Sequence, residues 1–157
     1  MKAKEAISVL LAMYELKLVM HEQVVAWADE QILACEKPDP LLFDLSLEGP
    51  GRCRRLPSDE FPPNNLRLSF DQAFSACASA LDLEDDAKVL DFARWAARHG
   101  LGEDLESPLA QLSSLFYCLL FEMGDEDAAI RETREKLPAV LPECRRLWPY
   151  RLDTLHV

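Results

Sequence analysis

The sequence predicts an all-α fold, a single-domain bundle of about six or seven helices, and three observations carry that expectation. Apolar residues recur three and four positions apart through most of the chain. No stretch of useful length alternates apolar and polar residues with the period of two that a strand needs. The periodic segments are separated by Pro, Gly, Asp and Ser at the places where helices start and stop.

The first helix is expected from Lys2 to Lys17, with Ala6, Val9, Leu10, Met13 and Leu16 in one stripe and Ile7, Leu11, Tyr14 and Leu18 broadening it. The second runs from His21 to Cys35, where Val25, Ala28, Ile32 and Cys35 share a face. Only a few residues separate the two, which predicts an antiparallel hairpin. Pro38 and Pro40 then break the chain, and Pro40 can open a short third helix through Leu41, Leu42, Leu45 and Leu47. Residues 49–65 read as a long irregular loop, rich in Pro and Gly, with the basic cluster Arg52, Arg54 and Arg55. Those arginines can hold a phosphate or an acidic partner, or pair with the chain's own carboxylates.

Ser69 with Gln72 forms a capping-box pattern ahead of Phe70, Ala73, Phe74, Cys77, Ala80 and Leu81. Asp85 or Asp86 caps a helix that reaches His99, with Val89, Phe92, Ala93 and Ala96 inward and Gly100 as its stop. Ser107 and Pro108 open the most apolar segment, Ser107–Met123, which carries no charge before Glu122. A helix apolar on most sides is a central one covered by others, so the bundle is expected to pack around residues 107–123, with Gly124 ending that helix. Asp125 to Lys136 forms the last clear helix. Pro138 and Pro142 are expected to prevent a further long helix, leaving short pieces and coil from Ala139, with Trp148 and Tyr150 folding back as an anchor.

Length and composition set the frame for function. With 157 residues, 49% hydrophobic and 29% charged, the chain can bury a substantial core and reads as one globular domain over residues 1–157. The longest uncharged run, Ser107 to Phe121, is shorter than the ~18 to 20 apolar residues of a membrane span. Lys2 and Lys4 precede the apolar Ile7–Met13, but Glu5 and Glu15 flank it and no small-residue cleavage site follows, so an amphipathic helix is expected there and a cytoplasmic location for the protein. Five cysteines, Cys35, Cys53, Cys77, Cys118 and Cys144, are scattered without a framework, which suggests reduced thiols in mostly apolar settings.

The formal charge is −11, and residues 71–130 hold thirteen acidic side chains against three basic ones. Such a field disfavours nucleic acid and anionic membrane and favours a protein partner with a basic surface. The simpler reading is that the charge keeps a helical protein soluble. Two clusters concentrate it: Asp82, Glu84, Asp85 and Asp86, and Asp125, Glu126 and Asp127. Neither has the alternating ligands, glycine and distal glutamate of a helix–loop–helix calcium loop, and both precede a helix, where carboxylates cap. They are the candidate partner-binding residues.

Other chemistry lacks a pattern. His21, His99 and His156 have no second ligand at helical spacing, no C-x-x-C pair exists, and no serine sits in a G-x-S-x-G turn, so no catalytic, cofactor or metal residue is assigned. Trp27 and Trp95 fit either the edge of a core or an exposed recognition surface.

Residues 24–47 carry V-V-A-W-A-D-E-Q-I (Val24–Ile32) and P-L-L-F-D-L-S-L (Pro40–Leu47). This opening resembles that of small uncharacterised helical proteins from bacteria, some of which are similar to immunity proteins that neutralise toxins delivered between competing cells. The resemblance implies a non-enzymatic role and no catalytic residues. The functional expectation is an acidic protein-binding module, with toxin immunity as its most specific form. A structural or regulatory helical homo-oligomer and an enzyme with an unrecognised site stand as alternatives.

Overall fold

A computed structural model describes all 157 residues, and it is all-α: eight α-helices, two short 3-10 turns, one π-turn and no strand. The chain forms two compact units, Met1–Arg67 with Tyr150–Val157, and Leu68–Pro149.

In the first unit α1 (Ala3–Glu15), α2 (His21–Ala34) and α3 (Pro40–Glu48) supply the core, with Ile7, Leu10, Leu11, Val24, Leu42 and Leu45 buried. Lys17, at φ 60°, reverses the chain between α1 and α2. Asp39 accepts from the Leu41 N–H at 3.0 Å and caps α3, with Pro40 at its first position. Residues 49–65 are more ordered than expected. They contain α4 (Pro50–Cys53) and a 3-10 turn at Pro62–Asn65. The reason lies in Asn64: buried, it donates to the carbonyls of Cys53 and Leu56, each at 2.7 Å, and so ties the segment together. Arg54 pairs with Glu15 at 2.6 Å and Arg52 with Glu48 at 2.8 Å, so two of the three arginines neutralise the chain's own acids.

The C-terminal residues belong to this unit through α2. The Trp27 indole N–H donates to the Leu155 carbonyl at 2.7 Å, and the Val157 N–H donates to Gln31 Oε1 at 3.0 Å. Trp27 is therefore a core residue.

The second unit holds α5 (Phe70–Ser79), α6 (Asp86–His99), α7 (Pro108–Tyr117) and α8 (Glu126–Leu147). Phe74, Phe92, Ala96, Leu109, Phe116 and Leu137 are buried together, and Phe92 meets Phe74 and Phe116 edge-on, at 5.2 and 6.4 Å between centroids. The apolar segment 107–123 has its place here, with α7 packed on α5, α6 and α8. Ser69 and Gln72 make both bonds of the expected capping box. Gly124, at φ 66°, follows the segment's last turn as expected.

One expectation is corrected. α8 continues through Pro138 and Pro142 to Leu147. Both prolines are exposed, so water can reach the two carbonyls that lose a helical partner, while Thr133, Leu137 and Cys144 stay buried on the inner face. Gly100 ends α6 as expected, but with φ −82°, the ordinary helical region, so backbone freedom is not its reason. A Cβ there would lie 2.5 Å from that of Ser113, and the glycine lets α6 and α7 approach.

Candidate functional site

The seven candidate carboxylates stand at two helix starts in the second unit. Asp85 caps α6 by accepting from the Lys88 N–H at 3.2 Å, and Asp125 caps α8 through the Ala128 N–H at 3.0 Å. Asp82 accepts from the Glu84 N–H at 3.0 Å and shapes the turn before α6. Thus Asp82, Asp85 and Asp125 have local structural work, as carboxylates at helix starts do.

Asp86 and Asp127, from the two clusters, line one open depression of ≈ 500 Å³ together with Ile130, Arg131, Arg134 and Glu135. Arg134 is fixed there, its Nε donating to the Leu83 carbonyl at 2.7 Å and its guanidinium pairing with Asp86. Arg94 of α6 pairs with Glu126 and lies 3.8 Å from Asp91. The face is thus mixed: two candidate acids are neutralised by arginines, while Glu84 and Asp127 project without an ion pair. Exposed pairs of this kind are worth about 0–1 kcal/mol, so a stronger cationic group can displace them cheaply.

Arg94 and Arg131 escaped the reading of the sequence, and Arg134 was expected only as a cation near the end of the Asp125–Lys136 helix, complementing its dipole. Asp127 and Arg131 at i,i+4, followed by Arg134 and Glu135, offered a signal within α8. Arg94 offered none, because its partner lies 32 residues away.

Trp95 is half-buried, stacked on Phe70 at 6.3 Å and on His99 at 4.8 Å. His99 Nδ1 also lies 2.8 Å from the Trp95 carbonyl. No group of three or more His, Cys, Asp or Glu side chains is arranged to hold a metal ion. No helix is long and apolar enough to cross a membrane. The thiols are free, and burial pushes Cys53 up to about 11 and Cys77 up to about 12.

Comparison with known proteins finds no family model, no curated protein and no solved structure that matches the chain.

Proposed function

We propose that the chain is a non-enzymatic protein-binding module whose acidic face, on the Leu68–Pro149 unit, takes a basic protein partner. One observation carries this: the carboxylates of two helix starts far apart in sequence, Asp86 and Asp127, border one open depression. The residues of that unit include sixteen acidic and eight basic side chains, so its field attracts cations and speeds their encounter. Toxin immunity is the most specific form of this reading and rests on the resemblance of residues 24–47; there a carboxylate-rich face would cover a basic active site.

The test is capture of a partner on the immobilised protein, with washes of rising salt, repeated with Asp82, Glu84, Asp85 and Asp86, or Asp125, Glu126 and Asp127, reversed to lysine. One stoichiometric basic protein, released by salt and lost on reversal, is the expected result. Equal capture by the reversed forms would exclude this face.

A second reading, self-association, has its own observation. Phe43 and Leu47 lie one turn apart on α3 and are both exposed, as is Leu33 on α2. Sedimentation equilibrium decides it: a monomer at all concentrations removes the homo-oligomer.

A further inference from the structure

Helix α2 carries two side chains with polar groups, Trp27 and Gln31, one turn apart and both buried. A buried amide is costly unless its hydrogen bonds are met, so an apolar residue would serve position 31 better if packing were its only task. Both groups instead address one extended stretch of backbone. The Trp27 indole N–H donates to the Leu155 carbonyl at 2.7 Å, and Gln31 Oε1 accepts from the Val157 N–H at 3.0 Å. In an extended chain the C=O of one residue and the N–H of the second residue on point the same way. Leu155 is extended, at φ −86° and ψ 113°. A donor and an acceptor on α2 thus read residues 155 and 157 as a neighbouring strand would.

The segment they hold offers α2 little besides its backbone. Of residues 150–157 only Leu155 is buried, while Arg151, Asp153, Thr154, His156 and Val157 are exposed. Recognition beside Trp27 and Gln31 therefore rests on one leucine side chain and on main-chain groups that nearly every residue type carries. The ion pair of the segment, Arg151 with Asp153 at 2.8 Å, lies within it and does not reach α2.

We propose that the face of α2 at Trp27 and Gln31 is a peptide site for an extended, leucine-bearing segment of a partner protein, and that residues 155–157 fill it in cis. The partner's segment makes the same two main-chain bonds, seats its leucine where Leu155 lies and displaces the chain's own residues. Apart from the leucine, the site demands only an N–H two residues on, which excludes proline at that position. The cis segment competes at the high effective concentration of a tethered ligand, which closes the site to weak peptides. The site belongs to the unit formed by Met1–Arg67 and Tyr150–Val157, and does not depend on the acidic face of Leu68–Pro149.

The test uses the full chain and a fluorescein-labelled peptide with the sequence of residues 150–157, read by fluorescence anisotropy. Leu155→Ala weakens the cis segment, so this chain is expected to bind the peptide about tenfold more tightly than the unmodified chain. Adding Gln31→Leu should abolish the gain, as should alanine in the peptide at the position of Leu155. Alanine in the peptide at the positions of Arg151, Asp153 and His156 should leave it intact. A folded Leu155→Ala chain without the gain, or with a gain that Gln31→Leu does not touch, would overturn the site and leave the acidic module standing. If Leu155→Ala does not fold, hydrogen exchange on the unmodified chain decides. The Val157 amide is expected to exchange about tenfold faster than the amides of Trp27 and Ala28, through opening of the segment alone. Exchange of all three only by global unfolding would overturn the proposal, because the segment would then never leave α2. A dimer of the unmodified chain that Leu155→Ala abolishes would also overturn it, by making a second copy the occupant.

Discussion

Single side chains decide several features that composition does not reveal. Trp27 is one. Its indole N–H, buried, satisfies the Leu155 carbonyl, so Trp27→Phe keeps most of the ring but leaves that carbonyl without its donor. A loss of about 1–3 kcal/mol is expected, read by urea denaturation. Gly100 is another: Gly100→Ala drives a Cβ into Ser113 and is expected to destabilise by about 1–3 kcal/mol, although alanine is the better helix former. The cysteines bear on pH. Cys77 is raised from 9.0 to about 12 by burial, so its folded form keeps the proton after the unfolded form has lost it. Its contribution is whole below pH 9.0 and is lost as pH rises through about 12. Denaturation midpoints taken across that range should fall less steeply in Cys77→Ala; an identical slope would contradict the assignment. That Cys53 and Cys144 are buried and Cys35 exposed was not legible in the sequence.

At the level of elements, capping was the most readable feature. Ser69, Asp85, Ser107 and Asp125 each accept the backbone bond their positions suggested. Caps are local, needing only a short polar side chain and the next three residues. Helix ends governed by packing were less readable. α8 runs through two prolines because its buried face outweighs them. Each proline still costs helix stability, so Pro142→Ala is expected to raise stability by about 1–3 kcal/mol in thermal melts, and a decrease would show that the ring has a packing role. The end of the α7 segment was misread in the opposite direction. Phe121 and Met123 fit the apolar stripe by spacing, and nothing in their identity announces a π-turn.

For the molecule as a whole, charge is the property most easily read and the one with the clearest collective effect. Nine ion pairs are present, each mostly at the surface, and such pairs contribute little individually. A formal charge of −11 repels itself, and at 0.1 M salt that repulsion is screened beyond roughly 10 Å. Self-repulsion should therefore win, so that adding salt raises the melting temperature by a few degrees; a fall would mean that the ion pairs matter more than their exposure implies. The same screening slows a basic partner's association, so stability and binding are expected to move in opposite directions with salt.

By itself the sequence determined the helical class, the capped starts, the acidic field and the two clusters of carboxylates. All of these depend on residues close in the chain or on simple sums over it. Only the tertiary structure decided that Asp86 and Asp127 border one depression, that Arg94 and Arg134 neutralise Glu126 and Asp86, and that Gly100 serves a close approach to Ser113. It also decided the division into two compact units and the exposure of Phe121 and Met123. These rest on which distant segments meet. Periodicity identifies a face that needs covering, but the covering surface is set by packing among elements, which no local pattern encodes.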